Sequence, residues 1–300
     1  MDVTPEFITW TMLRVASTKM PRICFSTMLW VVMCVCIDLG YAADRVVVFA
    51  PMPMESPELV IGQWKPLLSY LEQRLGMVFR IEYSKSNQEI LDKFRSGKID
   101  LAYLGPLPYV ALKKVFPAAQ PVVKFREANG EAAYTCAMIA LAGNDRKLKF
   151  PRNLKIALTQ PMSTCGYFAA DGLLHMAGTH IESNKYRYLN AHDAVALAVV
   201  RGDYDLGVVK SAIGAKYAHL GVIRLAETAA LPALGLIANS QRLSKETIES
   251  VRIALLEVDS NTRATWGDNV RHGAVSAEDI DYNPMRVLYK KKDIPTEGNF

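Results

Sequence analysis

Short apolar runs alternate with helical segments along almost the whole chain beyond residue 44, and this alternation restricts the fold more than any other feature. The first apolar run, residues 45–50, has the length and composition of a buried strand. It is followed by a segment with helical periodicity, residues 61–75, which stops at Gly76, a residue type that commonly ends helices. Repeated strand–helix units predict mainly parallel sheets with helices on both faces, so we expect an α/β protein.

A second set of strand–helix units begins near residue 150. Its predicted strands and helices, in chain order, are residues 155–158, 167–176, 186–189, 191–200, 204–209 and 211–217. Two such sets within about 250 residues predict two α/β lobes rather than one continuous sheet. Open sheets of this kind bind ligands beyond the carboxyl ends of their strands, so functional residues are expected in the turns that follow the strands.

The N-terminus has the pattern of an export signal. Two basic residues, Lys19 and Arg22, precede an uncharged, mostly apolar run, and a small-x-small cleavage pattern follows at residues 40–42. The apolar run is shorter than the roughly 20 residues that a membrane-spanning helix needs, although an uncleaved anchor is the alternative. We therefore expect residues 1–42 to be a signal peptide, with residues 1–19 as an upstream extension, and the mature protein to be periplasmic.

Removal of this leader leaves two cysteines, Cys136 and Cys165. Two cysteines allow one disulfide in an oxidising compartment but no disulfide framework, and the sequence leaves open whether they pair. No Cys/His cluster predicts a metal site, since His175 and His180 are spaced for different faces of a helix, and we expect no cofactor. The formal net charge of +5 fits a small anionic ligand, and no basic block with interleaved aromatic residues indicates nucleic-acid binding.

Three strand-to-helix turns have a composition suited to an anion. They contain, in chain order, Gly105-Pro106, then Ser163, Thr164, Cys165 and Gly166, then Asn190, Ala191, His192 and Asp193. The unpaired backbone N–H groups of a helix start attract an anion, and the helix dipole adds to that attraction. Gly166 would let the backbone approach a ligand closely.

In the third turn, Asn190 is the expected N-cap, Asp193 closes a capping box, and His192 falls in the first helical turn. Each turn taken alone is also explained by ordinary helix capping. All three follow predicted strands, however, so their convergence would form an oxyanion site without a metal.

Three runs of the sequence have the order and spacing of one known family: IDLAYLGPLPYVAL (residues 99–112), QPMSTCGYFAADGLL (160–174) and NAHDAVALAVVRGDYDLGVV (190–209). They resemble the phosphate/phosphite/phosphonate-type periplasmic solute-binding proteins, which are the extracytoplasmic components of ABC importers. The resemblance covers about residues 44–260.

This resemblance implies a two-lobed type II periplasmic binding protein that clamps a small anion between its lobes. Lobe one would contain residues 43–143 and 235–300, and lobe two, inserted into it, residues 144–234. The implied partner is the ABC transporter permease in the inner membrane, and we expect a monomer that is not an enzyme.

The resemblance also implies which residues bind the ligand. The family's S-T-S-G motif corresponds to Ser163, Thr164, Cys165 and Gly166. The remaining correspondences are Tyr103, Gly105 and His192. Cys165 departs from the motif because a thiol is a weaker hydrogen-bond donor than a hydroxyl.

Other departures from the family pattern occur at positions that would contact the substituent of the ligand. Asn87 stands near the position of another ligand-contacting tyrosine, and Ala212 and Leu234 fall near positions that are acidic in aminophosphonate binders. These residues favour a plain oxyanion or another organic anion over an aminoalkylphosphonate. Lys210, which follows a predicted strand, is a candidate counter-charge.

Two other functions are compatible with the residues. Cys165 at a helix start, with His192 as its base, would be the arrangement of a thiol hydrolase. The same cleft could instead belong to a periplasmic sensor or docking module that reports to a membrane partner.

Overall fold

A computed structural model describes residues 46–54, 56–143, 152–288 and 294–300. The predicted signal peptide, residues 1–42, lies outside these ranges. None of the helices within them has the length and apolar character needed to cross a membrane.

The strands, in chain order, are β1 (Val46–Ala50), β2 (Val78–Ile81), β3 (Leu101–Leu104), β4 (Ala119–Phe125), β5 (Ala133–Tyr134), β6 (Cys136–Leu141), β7 (Lys155–Leu158), β8 (Lys185–Tyr188), β9 (Leu206–Lys210), β10 (Val222–Glu227), β11 (Leu231–Pro232), β12 (Gly235–Asn239) and β13 (Ala274–Ser276). The α-helices are α1 (Pro57–Leu75), α2 (Asn87–Arg95), α3 (Pro106–Val115), α4 (Ala169–Met176), α5 (His192–Val200), α6 (Ser211–Lys216), α7 (Lys245–Glu257), α8 (Ser260–Ala264) and α9 (Asn283–Leu288).

The first lobe is built on a six-stranded sheet with the strand order β13-β4-β12-β3-β1-β2. β1 pairs in parallel with β2 and β3, whereas β12 pairs antiparallel with β3 and β4. The aromatic centre of this lobe is Trp64 of α1, whose ring centroid lies 4.6 Å from that of Phe49 and 4.7 Å from that of Tyr103. Gly76 ends α1 in the left-handed conformation, with φ of 63°, which confirms the predicted stop.

The second lobe is built on a five-stranded sheet with the order β10-β6-β9-β7-β8. Successive strand residues point to opposite faces, and the two faces belong to different apolar clusters. Ile139 and Val209 pack with Val195 of α5 on one face, whereas Met138 and Val208 share the other cluster with the α4 residues. Helices therefore cover both faces of this sheet, as predicted.

The predicted α/β fold with mainly parallel strands is confirmed. Among the described strands, four of six in the first sheet and four of five in the second run in one direction. The exceptions are β12 and β13 in the first sheet and β6 in the second. These strands make antiparallel pairs that the strand–helix pattern did not predict.

Between the sheets, the chain forms a two-stranded antiparallel ribbon of β5 and β11. The predicted lobe boundaries, 43–143 with 235–300 and 144–234, stay a prediction. β6, which those boundaries place in lobe one, is hydrogen-bonded within the five-stranded sheet, where Cys136 is the register partner of Lys210.

The last described segment, residues 294–300, contacts the edge strand β8 of the second lobe. Asn299 donates its backbone N–H to the Tyr186 carbonyl at 3.1 Å, and its side-chain oxygen accepts the Tyr186 N–H at 2.8 Å. Arg187 donates to the Phe300 carbonyl and lies 4.9 Å from the centre of the Phe300 ring. The exposed edge of β8 is thereby covered by the protein's own chain.

Candidate functional site: an anion cavity between the two lobes

A cavity of about 150 Å³ lies where the turns after several strands of the two lobes meet. Its polar lining consists of Ser163, Thr164, His192, Asp193, Lys210 and Asn269. Its apolar lining consists of Met52, Met54, Ala212, Ile213 and Leu234, and the rest of the wall is Gly105, Tyr134 and Cys165. The cavity lining therefore combines hydrogen-bonding and apolar side chains.

The cavity brings together residues from all three predicted turns. Ser163, Thr164 and Cys165 come from the turn after β7, Gly105 from the turn after β3, and His192 from the turn after β8. Because each turn follows the carboxyl end of a strand, sheet geometry alone directs them to the same space.

The turn after β7 differs from the simple helix start that the sequence predicts. A π-helical turn, Thr164–Phe168, precedes the regular helix α4, and Cys165 and Gly166 have non-helical backbone angles. Gly166 does not line the cavity. A Cβ at this position would lie 2.6 Å from the Gln160 carbonyl oxygen, so the glycine is required by the turn itself and not by a ligand.

Thr164 joins the two lobes at the cavity wall. Its Oγ1 accepts a hydrogen bond from the backbone N–H of Leu107, at 3.2 Å, in the first turn of α3. That N–H is one of the donors that a helix start leaves without a partner in its own helix. A Cβ at Gly105 would lie 3.4 Å from the same Oγ1, an ordinary contact distance. Thr164 and the start of α3 are therefore adjacent hydrogen-bonding groups at one wall.

His192 is a neutral hydrogen-bonding group. Its Nδ1 accepts the backbone N–H of Lys210 at 3.1 Å, so in the neutral ring Nε2 carries the proton. Burial, together with the smaller effect of the Lys210 charge, lowers the pKa of His192 to about 4, against the opposing effect of Asp193. At neutral pH this imidazole can therefore donate a hydrogen bond without carrying a positive charge.

The predicted cap of α5 is wrong. Asn190 adopts a left-handed conformation with φ of 68°, and Ala191 is the N-cap, without a side-chain capping bond. Asp193 therefore closes no capping box, and its Oδ1 instead accepts the Tyr217 hydroxyl at 2.8 Å. The left-handed turn at Asn190 redirects the chain so that His192 becomes the first residue of the helix.

Lys210 lines the cavity as predicted, but it is already paired. Its Nζ lies 2.6 Å from Oε2 of Glu127, and both side chains are mostly buried. The ammonium also lies 5.4 Å from the centre of the Tyr134 ring. The positive charge that reaches the cavity is therefore largely balanced by a carboxylate that the sequence did not reveal.

Besides Gly166, two further predicted site residues, Tyr103 and Asn87, are not among the cavity-lining residues. Tyr103 is 2% exposed and belongs to the core around Trp64, because its position in β3 directs its side chain into the sheet packing.

Asn87 is also buried, and its backbone N–H donates to Oε1 of Gln160 at 3.3 Å. Nε2 of the same Gln160 donates to the carbonyl of Pro53 at 2.6 Å. Asn87 thus lies in the contact between the lobes, where a glutamine from the second lobe binds the backbone of the first at two points.

Cys136 and Cys165 form a disulfide, with their Cα atoms 5.2 Å apart. This answers the question that the sequence left open. The thiol-hydrolase alternative is wrong, because Cys165 has no thiol to act as a nucleophile.

Several lining residues were not found from the sequence. Met52 and Met54 follow the predicted first strand, so the rule that ligands bind beyond strand ends was a usable signal for them. Asn269 lies in the loop before β13, and no local pattern distinguishes it. The rings of His175 and His180 lie 5.2 Å apart, closer than their spacing suggested, but the described residues contain no group of three side chains able to hold a metal ion.

Comparison with known proteins places this chain in a family. The family model for the periplasmic substrate-binding protein of phosphonate ABC transporters matches residues 49–282, more than half of the chain. The chain is 23% identical over 272 residues to the phosphate-import protein PhnD of Mycolicibacterium smegmatis, covering 80% of this chain and 84% of that protein.

Solved structures agree on the fold. PhnD1 from Prochlorococcus marinus, in complex with methylphosphonate, superposes with a TM-score of 0.70 at 15% identity, covering 82% of this chain and 98% of the other. A binding protein component of an ABC phosphonate transporter from Pseudomonas aeruginosa gives a TM-score of 0.71 at 17% identity, covering 82% and 85%. The family consists of extracytoplasmic binding proteins and not of enzymes. The chain belongs to the phosphonate-type periplasmic substrate-binding proteins of ABC importers.

Proposed function

We propose that this protein captures a small phosphorus oxyanion with an uncharged substituent, such as phosphate, phosphite or a short alkylphosphonate. The observation that carries the proposal is the convergence of the Ser163–Thr164 turn, the start of α3 and His192 on one cavity of about 150 Å³. A cavity of this size suits an anion of a few heavy atoms rather than a nucleotide or a peptide.

The donors at this cavity match the needs of a tetrahedral oxyanion. Hydroxyls of Ser163 and Thr164, the N–H of Leu107 and Nε2–H of His192 can donate hydrogen bonds to the three or four oxygens of such an anion. The Leu107 N–H is held by Thr164 at present, so a ligand would take the place of that hydroxyl or share the donor with it. Lys210 would then add attraction at a distance, moderated by Glu127.

The apolar part of the lining argues against a charged amine on the ligand. It consists of Met52, Met54, Ala212, Ile213 and Leu234, whose side chains offer no acceptor stronger than a methionine thioether. Asp193 is the one acidic residue among the described lining residues, and its Oδ1 accepts from Tyr217. An ammonium buried without an acidic partner is costly, so we expect an aminoalkylphosphonate to bind poorly.

Such capture requires the lobes to move, and the movement would be centred on the β5–β11 ribbon. The position of this ribbon supports lobe boundaries close to residues 135 and 229 rather than 143 and 234. We further propose export with cleavage near residue 42, a monomeric mature protein, and delivery of the anion to an inner-membrane ABC permease. The family's extracytoplasmic role supports these steps.

A thermal-shift and calorimetry panel tests the ligand class. The exported protein, freed of bound anion by dialysis, is compared in phosphate, phosphite, methylphosphonate, aminoethylphosphonate and sulfate. A ligand at 100 times its dissociation constant should stabilise the protein by about 2.7 kcal/mol. Stabilisation by at least one of the first three supports the proposal, whereas a response to sulfate alone, or to none of the five, contradicts it.

A further inference from the structure

The disulfide connects two parts of the anion site that are otherwise joined only by noncovalent contacts. Cys165 is the third residue of the turn that carries Ser163 and Thr164, and it lines the cavity. Cys136 is the first residue of β6 and is fully buried. The bond therefore attaches the turn after β7 directly to a strand that lies two places away in the sheet.

The end of β6 that carries Cys136 is also linked to two other polar residues of the cavity, Lys210 and His192. Cys136 is the register partner of Lys210, whose backbone N–H donates to Nδ1 of His192. The neighbouring Thr135 accepts the Ser211 N–H at 2.9 Å through its carbonyl. Through these contacts, the position of β6 is linked to the positions of both Lys210 and His192.

The turn is buried and Thr164 bonds to Leu107 of the first lobe, but the hydrogen bonds described for the turn do not connect it to β6 or β9. Ser163 makes no side-chain capping bond, and Cys165 and Gly166 lie outside helical geometry. The backbone bonds within the turn run from the Gly166 N–H to the Ser163 carbonyl and from the Ser163 N–H to the Gln160 carbonyl, each at 3.0 Å. Neither bond connects the turn to the strand that supports His192 and Lys210.

We propose that the Cys136–Cys165 disulfide is a positioning element of the anion site, so that ligand affinity depends on its oxidation state. This inference rests on the proposed function. With the bond intact, the Ser163 and Thr164 hydroxyls are held at a set distance from His192. Without it, the turn is free to adopt other conformations, and the ligand must restrict them when it binds.

The chemistry of the change is a thiol–disulfide exchange with a dithiol. The dithiol attacks one sulfur, the S–S bond breaks, and after a second exchange the reagent leaves as its own disulfide. Two electrons and two protons pass from the dithiol to the protein, which then holds two thiols at positions 136 and 165.

The experiment measures affinity and stability separately. Calorimetry at 15 °C gives the dissociation constant of methylphosphonate and of phosphate for the oxidised protein, the dithiothreitol-reduced protein, the reoxidised protein, and the double variant Cys136→Ser/Cys165→Ser. We expect at least tenfold weaker binding after reduction and in the double variant, unchanged far-UV circular dichroism, and recovery of affinity on reoxidation. Affinity within twofold of the oxidised protein, with two thiols titrated after reduction, would overturn the proposal.

Val222→Ala is the matched control, because Val222 of β10 is buried in the cluster on the opposite face of the same sheet. It should lower the unfolding temperature without weakening binding. An equal loss of affinity in this variant would show that general destabilisation, and not the position of the turn, governs binding. If the double variant does not fold, reduction of the native protein still provides the comparison.

A ligand-independent measurement separates this inference from the proposed function. If the oxidised protein binds none of the anions in the panel, the proposed function fails, and hydrogen exchange then tests the disulfide alone. We expect faster amide exchange in residues 163–168 after reduction, with unchanged exchange in α1 as the internal control. Unchanged exchange in both segments would contradict a positioning role.

Discussion

The Thr164 hydroxyl of the second lobe accepts the backbone N–H of Leu107 of the first lobe at 3.2 Å. This bond uses one of the donors that the start of α3 offers to an anion. It also closes one wall of the cavity, since Thr164 is a lining residue. One contact between the lobes is thus made by the same groups that would bind the proposed ligand.

The double substitution Ser163→Ala/Thr164→Ala should reduce the affinity for the panel anion that binds best by at least a hundredfold. Each hydroxyl can donate a charge-assisted hydrogen bond, and such bonds contribute about 1.5–3 kcal/mol each. The loss of the Thr164–Leu107 contact should cost only about 1 kcal/mol of folding free energy. Calorimetry and thermal unfolding measure the two effects.

Ser244→Ala is a suitable control for that experiment. Ser244 caps α7 by accepting the Thr247 N–H, and it does not line the cavity. It should lower stability by about 1 kcal/mol and leave affinity unchanged. A double variant at positions 163 and 164 that binds as tightly as this control would refute the assignment of the turn.

Aminoethylphosphonate should bind at least tenfold more weakly than methylphosphonate, because the lining residues Ala212 and Leu234 offer its ammonium no acidic partner. The substitution Leu234→Asp should narrow or reverse this preference by supplying an acidic partner. Competition calorimetry on both proteins measures the ratio. Tighter binding of aminoethylphosphonate to the unmodified protein would show that another acidic group reaches the ligand.

His192 should make stability depend on pH in the weakly acidic range. Its pKa is about 4 in the folded protein against 6.5 in an unperturbed chain, so between these values the unfolded state binds a proton that the folded state does not. The free energy of unfolding should therefore fall as the pH drops through this window, by at most about 1.4 kcal/mol per pH unit. Above pH 6.5 this contribution stays constant.

Denaturant unfolding of the unmodified protein and of His192→Gln between pH 4 and 8 isolates this effect from the titration of carboxylates. The glutamine carries no proton equilibrium, so the stability difference between the two proteins should change with pH below 6.5 and be flat above it. A difference that is independent of pH throughout would mean that His192 titrates normally in the folded protein.

Gln160 should act on affinity without touching the ligand. Its Nε2 donates to the Pro53 carbonyl at 2.6 Å and its Oε1 accepts the Asn87 N–H at 3.3 Å, both across the lobe contact. Gln160→Ala removes these bonds and should raise the population of open conformations. The apparent dissociation constant should rise in proportion to the fall in the fraction of binding-competent protein. Small-angle scattering of the ligand-free variant should report a larger radius of gyration. Calorimetry should report a larger dissociation constant for the ligand.

Gln88→Ala provides the comparison, because Gln88 is exposed and bonds only to Asp92 of its own helix among the contacts described for it. It should change neither the scattering profile nor the affinity. If Gln160→Ala also leaves both unchanged, the two interlobe bonds do not influence closure.

Local sequence was sufficient to predict much of the fold and the three turns whose residues line the cavity. β7 has the bounds that the sequence predicts, and α1 ends at Gly76 as expected. The three turns that meet at the cavity were found because apolar runs, helix-start residues and strand ends are all encoded over a few neighbouring residues.

Only the tertiary structure decided which of these residues face the cavity. It also decided which of their charged or reactive groups are paired. Tyr103 is a core residue, Lys210 is paired with Glu127, and Cys165 is bonded to Cys136. Each outcome depends on a partner far away in the chain, and local periodicity carries no information about such a partner. The sequence alone determined an α/β family fold and the position of a candidate anion-binding turn, whereas packing between distant segments determined how that turn is held and what surrounds it.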